Sequence, residues 1–426
     1  MVSCTRAILL VCITSLSFST VSSQEQLPIE EAYRLAKENY PLLKSIDIYQ
    51  AMAEKENDLV DLSRRPTVML RGDASLQSEA IRIGNENSPI DISVPIYGVQ
   101  AYGEVTYNLF DGGVSDVKKQ INEINAIVNT QQVEVNLYPL KEQINKIYAG
   151  VDLGQKLMAV YSLTENDLLA RQRSIQVAVD NGVALESEVK KMQVRLLQLE
   201  NEKLQVVADI TSAYSLLSVV LGKEVKVDTE LELPSDMDVM RHLDINRPEL
   251  KLFNDQQLTL QLQKEMIDVL DKPSISLFAQ AGVGYPNKLN FTDVSISPFA
   301  LGGVKASYKL LGQRDRSTKK QTLDLQSQLV DVQEETFRHN LSVEAARYQD
   351  EFQLLSEQIA KHVMIADLQS EILAQMKVQL DNGVITSTEY LIQSNEELRA
   401  RQNIKISESH LAQKRLEYHT IFGTKY

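Results

Sequence analysis

The pattern of apolar and polar positions changes several times along the chain, and each change marks a predicted element. Between residues 29 and 63 the apolar positions recur every three or four residues, which predicts helix, with an interruption at Pro41. From Thr67 to Gln77, and again from Val99 to Leu109, apolar and polar residues alternate, and this period of two predicts β-strands. The stretch at 81–97 is rich in Gly, Asn, Ser and Pro and predicts a loop.

After Asp111 the helical period returns and continues for about 65 residues, which is about 100 Å of helix. The apolar residues follow the three-four spacing of coiled-coil packing. Pro139 predicts a kink near the middle of this helix. Asn181-Gly182 predicts a left-handed turn that ends it, and a return helix is predicted from Leu185 to Leu221.

The whole pattern then occurs a second time. The repeat is exact at one turn: Asp180-Asn181-Gly182-Val183 occurs again as Asp381-Asn382-Gly383-Val384, 201 residues later. Gly222 and Gly423 are separated by the same offset. Upstream of the long helices the offset is 207, so the copies differ by six residues in a single loop. The chain is therefore two copies of one unit.

Both copies have the same predicted order of elements. Asn340 stands where the first copy has Pro139, so the second long helix is expected to be smoother. The predicted segments are a signal peptide at 1–23; a first repeat at 24–222, with a helix, a β-hairpin at 66–112, a long helix at 113–180 and a return helix at 185–221; a linker at 223–245; and a second repeat at 246–426, with a helix, a β-hairpin at 273–311, a long helix at 314–380 and a return helix at 384–422.

The N-terminus has the pattern of an export signal. An apolar run, Ala7–Ile13, is followed by small residues, which predicts cleavage after Ser23. The run is far shorter than the ~20 apolar residues that a spanning helix needs, and the residues before Cys12 are not the small ones of a lipoprotein signal. Cys4 and Cys12 are the only cysteines, so the mature chain is expected to use no disulfide and no thiol chemistry.

The predicted strands have two unlike faces. One face is apolar and rich in Gly and Ala, whereas the other carries Arg71, Asp73, Glu104, Lys305 and Lys309. This is typical of outer-membrane barrel strands, and also of a soluble hairpin pair over a small core, so the alternation leaves both open. In a membrane, four strands cannot close a barrel, and an open edge costs several kcal/mol per unpaired group. Copies of the chain would then have to share a barrel of 8, 12 or 16 strands.

The duplicated order of helix, hairpin, Leu109-Phe110-Asp111-Gly112-Gly113, very long helix, Asn-Gly-Val turn and return helix resembles the TolC-type outer-membrane efflux channel family over essentially the whole mature chain. Residues 380–391 resemble that family's second periplasmic tip. The resemblance implies a mainly α fold with a membrane β-barrel part. Long antiparallel coiled-coil helices form an α-barrel, and four strands per chain enter a shared 12-stranded β-barrel in a homotrimer. The implied location is the outer membrane of a Gram-negative bacterium, with a periplasmic helical domain.

The function that the resemblance implies is a passive exit duct of a tripartite efflux pump or a type I secretion system. The helical tips would dock on a periplasmic adaptor protein that links the duct to an inner-membrane pump or exporter. Each turn needs a left-handed residue, which glycine supplies, and exposes a valine beside it. Thr386 and Glu389 predict a capping box that the first copy lacks, because Leu185 stands at that position. The predicted docking residues are Gly182, Val183, Glu188, Gly383, Val384 and Thr386, and plain helix-hairpin turns are the alternative.

The resemblance also implies a narrow periplasmic entrance with rings of acids. Glu389 matches the first of the family's acids, and three copies of its carboxylate around a threefold axis would raise each other's pKa and favour cations. Ile392 stands where better-known members carry a second Asp, and Ile385 and Leu380 stand where they carry the Arg and Tyr of a closing network. We therefore expect these four residues to form a gate held shut by apolar contact more than by ion pairs. A solvated Glu389 on a helix face is the alternative.

Composition and motifs narrow the remaining functions. A net charge of −14 and a pI near 5.0 leave no basic patch for a nucleic acid. The motifs of P-loop, zinc-protease, serine-hydrolase and dinucleotide sites are absent from the sequence, and its five histidines lie far apart. No enzyme activity, cofactor or metal site is predicted. The alternative to a duct is an exported periplasmic coiled-coil scaffold or adaptor protein without a pore.

Overall fold

The structure is a computed structural model, and it describes residues 26–83, 92–234, 245–290, 293–310 and 313–423. The predicted signal peptide therefore lies outside the described residues. The helices are α1 (Ile29–Asn39), α2 (Ser45–Ser63), α3 (Val114–Leu137), α4 (Pro139–Asp180), α5 (Glu186–Leu221), α6 (Pro248–Leu270), α7 (Gln313–Asp381) and α8 (Ser387–Phe422). The strands are β1 (Gln26–Pro28), β2 (Thr67–Leu76), β3 (Ile81–Ile83), β4 (Ile92–Val94), β5 (Tyr97–Phe110), β6 (Glu230–Glu232), β7 (Ser274–Tyr285) and β8 (Ser297–Ser307).

The two copies differ in their long helices as the single proline predicts. The first is divided into α3 and α4 by Tyr138, and Pro139 is the first residue of α4. Proline has no backbone N–H to donate to the preceding turn, so the helix has to restart there. The corresponding helix of the second copy, α7, runs without a break for 69 residues, which is about 100 Å.

The long helices form two antiparallel hairpins, α4 with α5 and α7 with α8, and these contact each other mainly through α4 and α8. Two apolar cores hold them together. One contains Ile144, Tyr148 and Leu416 and includes residues of α1. The other follows the hairpins away from the sheet and contains Leu168 of α4 and Tyr390 of α8.

The sheet joins the two copies edge to edge. Its strand order is β2-β5-β7-β8, with every neighbouring pair antiparallel. β5 belongs to the first copy and β7 to the second, so each copy contributes one hairpin to a single four-stranded sheet. The helices leave this sheet from one end only, because each hairpin begins and ends at that end.

Several element boundaries differ from the predicted ones. The predicted linker at 223–245 contains β6, which pairs in parallel with β1. The predicted loop at 81–97 contains the paired strands β3 and β4. In the second copy, β8 ends at Ser307 rather than near residue 311, and the return helix starts at Ser387 rather than at residue 384, because Thr386 is the cap that precedes the helix.

Candidate functional site: the sheet and the helical tips

The sheet gathers the apolar positions of all four strands on one face. Val68 pairs with Val105, Val105 with Ala279, and Ala279 with Gly302. Because side chains alternate along a strand, the rows two residues away repeat this arrangement. The large side chains of this face are not covered by other parts of the described chain, and Leu70 is 87% exposed. A surface of this kind in a folded chain predicts burial against lipid or another molecule.

The other face of the sheet carries a polar network. Glu104 of β5 forms an ion pair with Arg71 of β2 (3.1 Å) and accepts a hydrogen bond from Gln280 of β7 (2.6 Å). Two rows beyond Glu104, further from the helices, Gln100 donates to Asp73 at 2.9 Å. Arg71, Asp73 and Glu104 therefore interact across strands on this face, and the strands carry one apolar and one polar surface as the alternation predicts.

Aromatic side chains stand at both ends of the apolar face. Tyr97 and Tyr285 stack at the end away from the helices, with ring centroids 5.2 Å apart, and Tyr107 lies near the helical end. Ten residues separate Tyr97 from Tyr107, which is about 34 Å along a strand and about 26 Å in height at the ~40° tilt of barrel strands. Outer-membrane barrels have an apolar band about 25 Å tall between two aromatic girdles.

Both outer strands of this sheet keep an open edge. Among the described residues, β2 pairs only with β5 and β8 only with β7. Each edge therefore presents backbone N–H and C=O groups without a strand partner, and such edges are the usual points of pairing with another chain.

The first helical tip is the turn between α4 and α5. Gly182 has φ 73°, in the left-handed region, and its N–H donates to the carbonyl of Val179 at 2.9 Å. The N–H of Val183 reaches back to the carbonyl of Ala178, also at 2.9 Å, which closes the helix end. This geometry turns the side chain of Val183 outward, and Val183 is 79% exposed.

The second tip, between α7 and α8, has the same turn. Gly383 has φ 67°, and the N–H of Val384 donates to the carbonyl of Gln379 at 2.8 Å. Val384 is 71% exposed. A Cβ added at Gly182 or at Gly383 would meet no atom within 4 Å, so at both turns glycine is required by the backbone angle alone.

The two tips start their return helices differently. Thr386 forms the predicted capping box: its hydroxyl accepts from the N–H of Glu389 (3.3 Å), and its N–H donates to the Glu389 carboxylate (2.7 Å). Leu185 occupies the same position in the first tip and provides no side-chain cap. Glu188, three residues later, instead accepts from Lys191 at 2.8 Å. The interaction with Lys191, with a smaller contribution from Ser387 of the other tip, lowers the pKa of Glu188 from its usual value.

The four predicted gate residues do not form one surface in the single chain. Leu380 and Ile385 pack against the apolar core of the hairpins, whereas Ile392 is 59% exposed and Glu389 is also exposed. The pKa of Glu389 is lowered by the backbone N–H and then the hydroxyl of Thr386. The predicted rise of this pKa requires three copies of the carboxylate near one axis, and it stays a prediction.

Two polar contacts near the tips were not found from the sequence. The buried hydroxyl of Tyr390 donates to Asp167 at 2.6 Å, and the buried guanidinium of Arg171 pairs with Asp381 at 2.6 Å. Each contact joins α4 of the first hairpin to the second hairpin. Tyr390 and Asp381 lie in the segment that carries the family resemblance, but no sequence pattern connects them with partners more than 200 residues away.

No acid or histidine cluster suits a metal ion within the part of the chain that the structure describes. No protein-family model matches the sequence, and no curated protein matches it. The functional inference therefore depends on the sheet, the tips and the fold.

The fold is that of the TolC-type outer-membrane channels, as the sequence predicts. The chain is similar to the transmembrane channel CusC, with 13% identity, a TM-score of 0.63 and coverage of 93% of this chain and 92% of that chain. It is also similar to the outer membrane protein VceC of Vibrio cholerae (13% identity, TM-score 0.60, coverage 93% and 96%). The open-state outer membrane channel MtrE of Neisseria gonorrhoeae matches at 12% identity and TM-score 0.58, with coverage of 93% and 88%.

Proposed function

We propose that the chain is one subunit of a homotrimeric exit duct in the outer membrane of a Gram-negative bacterium. The observation that carries the proposal is the sheet, which has an exposed apolar face of membrane height, a polar opposite face and two open edges. In lipid, backbone groups at an open edge find no water, so the edges have to pair between subunits.

Closure of the barrel sets the number of subunits. Two chains would give eight strands, and an eight-stranded barrel has an interior that side chains fill. Three chains give twelve strands and are the smallest assembly with room for a lumen. A threefold assembly of long helical hairpins would continue that lumen through the periplasm for about 100 Å, the length of α7.

The helices also carry a surface that suits subunit packing. α5 has an apolar stretch with the length and composition of a membrane span, of which only 17% is buried within the chain. Leu197, Leu204 and Val219 on this helix are exposed. Because α5 packs along α4 for much of its length, we interpret its exposed apolar face as a contact with the neighbouring subunit rather than with lipid.

The alternative, a periplasmic scaffold or adaptor without a pore, fits the sheet less well. In such a protein the apolar face of the strands would cover a small soluble core. In the described chain no core residue of either apolar cluster comes from the four strands of the sheet, and the large side chains of the sheet's apolar face, such as Leu70, Val99 and Val304, are exposed.

We further propose that the tips dock on a periplasmic adaptor protein, which connects the duct to an inner-membrane pump or exporter of an efflux or type I secretion system. Val183 and Val384 give each tip an exposed apolar residue at its extreme end. Gly383→Asp places a charge beside Val384 and requires an unfavourable left-handed backbone at Asp. We expect loss of export with an unchanged amount of surface trimer.

Gly182→Asp is the matched variant for the first tip, because neither glycine has a neighbour within 4 Å. Both variants should retain the trimer and reduce co-purification with the adaptor. Full export by both would mean that the turns are structural only.

The periplasmic entrance is proposed to be lined by Glu389 and Ile392, the two exposed members of the predicted gate. Three Glu389 carboxylates near one axis would make the entrance selective for cations. Divalent cations bound between these carboxylates would block the channel. Glu389→Gln should therefore abolish block by periplasmic Mg²⁺ in single-channel recordings and reduce cation selectivity. Glu188→Gln is the control for an acid at the other tip, and equal block in Glu389→Gln and the parent would remove Glu389 from the gate.

A further inference from the structure

The connection between β7 and β8 is closed by its own hydrogen bonds. The backbone N–H of Asn287 donates to the Asp293 carbonyl at 3.1 Å, and its side-chain amide donates to the Asp293 carboxylate at 2.9 Å. The same carboxylate accepts from the N–H of Ser295 and the hydroxyl of Ser297, both at 3.1 Å. These bonds, led by that of Asn287, hold the pKa of Asp293 at about 2. The hydrogen bonds to Asp293 fix Asn287, Ser295 and Ser297 relative to one another.

Lys288, next to this closure, reaches back over the polar face of the sheet. Its Nζ lies 4.7 Å from the ring centroid of Phe299 and 5.1 Å from that of Tyr102. Both rings are buried. An ammonium group above an aromatic face is attracted by the ring quadrupole, and the attraction grows when the pair is withdrawn from water.

A glycine creates the place for this contact. Gly282 lies between Tyr102 and Phe299 in the register of the sheet, and a Cβ on Gly282 would be 2.5 Å from Tyr102. Because Gly282 has no side chain, the Tyr102 ring lies across it and approaches Phe299, with centroids 6.0 Å apart. The two rings are tilted by 55° to each other and together form the platform beneath Lys288.

Among the described residues, the contacts of the Lys288 ammonium are with the two rings of this platform. The ion pairs of the described residues do not include Lys288, and on this face Arg71 pairs with Glu104. The platform lies in the half of the sheet remote from the helices, where Tyr97 and Tyr285 mark the end. In the proposed barrel this half faces the outside of the cell, and the polar face lines the lumen.

We infer that Lys288 anchors the β7–β8 connection over the lumen and so determines the size of solute that passes the outer mouth. Three copies of the anchored connection would narrow the barrel at the level of Tyr102 and Phe299. The inference rests on the proposed function, since it needs the polar face to line a pore.

The absence of cysteine from the mature sequence allows a direct test with single thiols in intact cells. Asn108→Cys places a thiol on the polar face about 20 Å inward from Tyr102, six residues along β5. Two maleimides are compared, one small and one carried on a polyethylene glycol too large for general porins. The ratio of their labelling rates cancels differences in thiol reactivity and reports the size of the mouth.

In the Asn108→Cys background, Lys288→Met keeps the length of the side chain and removes its charge. We expect the labelling rate of the large maleimide, relative to that of the small one, to rise about tenfold. Loss of a desolvated cation–π contact shifts the equilibrium between the anchored and the open connection by about this factor. Lys288→Arg should restore the parental ratio. Lys305→Met is the matched control, because it removes a positive charge from the same strand face without touching the connection.

An unchanged ratio in Lys288→Met, or an equal rise in Lys305→Met, would overturn the inference. Leu289 is an exposed residue beside Lys288. Labelling of Leu289→Cys distinguishes failure of the Lys288 inference from failure of the proposed function. If the large reagent does not label Leu289→Cys in intact cells, the connection is not outside and the duct proposal fails. If it does label that thiol, the Lys288 comparison decides the inference alone.

Discussion

The two helical tips share one turn and use their glutamates in opposite ways. Both have glycine in the left-handed conformation, an exposed valine after it, and a glutamate three residues into the return helix. In the second tip the Glu389 carboxylate turns back to the N–H of Thr386. In the first tip Leu185 gives no cap, and Glu188 accepts a hydrogen bond from Lys191 of its own helix at 2.8 Å.

A single difference between the copies, threonine or leucine at the cap, therefore decides which partner the glutamate takes within its own helix. Where the capping residue is threonine, the glutamate completes its own helix start. Where it is leucine, the glutamate pairs with a lysine three residues further along its own helix. The second return helix therefore begins with a side-chain cap that the first return helix lacks.

Among the predicted substitutions, Tyr390→Phe is expected to have the largest effect on the stability of the helical hairpins near the tips. The change removes the hydrogen bond to Asp167 and leaves that carboxylate without its buried donor, which costs about 1.5–3 kcal/mol for a charged partner. Hydrogen exchange near the ends of α4 and α8 should accelerate, whereas exchange in the sheet should not change. Asp167→Asn retains an acceptor oxygen and should have a smaller effect. If hydrogen exchange is identical in Tyr390→Phe and the parent, the hydrogen bond from Tyr390 to Asp167 does not stabilise the contact between the hairpins.

The next effect is expected from exchanging the caps. Thr386→Ala should destabilise the start of α8 by about 1 kcal/mol, and Leu185→Thr should stabilise the start of α5 by a similar or smaller amount. Local exchange protection at residues 386–390 and 185–189 measures both. In Leu185→Thr, Glu188 would be drawn back to its own helix start. The contrast between the tips would be wrong if both substitutions changed protection in the same direction.

The smallest effect is expected from pH. The pKa of Glu188 is lower in the folded chain than its usual value. The contribution of its carboxylate to the stability of the fold is therefore complete above the unfolded pKa of about 4.3, and it is lost as the pH falls through the folded pKa. Protection factors at the first tip should therefore fall as the pH is lowered below about 4.3. Glu188→Gln should flatten this fall, with Glu186→Gln, an exposed neighbour, as the control. Parallel acid curves for Glu188→Gln and the parent would remove Glu188 from the contact.

Local rules were sufficient for much of this fold. The change from a period of two to a period of 3.6 marks the strands and long helices, and glycine and proline mark the turns and the break at Pro139. The capping box at Thr386 follows from two residues three apart. Each of these features depends on neighbours within a few positions in the sequence.

Features that depend on distant neighbours were missed. β1 and β6 are three residues each and pair across more than 200 residues, so neither has a pattern of its own. The contact of Tyr390 with Asp167 and the platform of Tyr102 and Phe299 depend on packing and register that one sequence does not encode locally. Leu380 and Ile385, two of the predicted gate residues, are partly buried against the hairpin core of the single chain, and their place in a gate stays a prediction.

The central claim is that three chains share one barrel, and the mass of the intact complex tests it most directly. The protein is extracted in mild detergent from purified outer membranes, weighed by native mass spectrometry and reconstituted for conductance. We predict a complex of three mature chains that conducts ions and loses conductance when it dissociates. A monomer that is stable in detergent and still conducts would contradict the account, because its two open sheet edges could not lie in lipid.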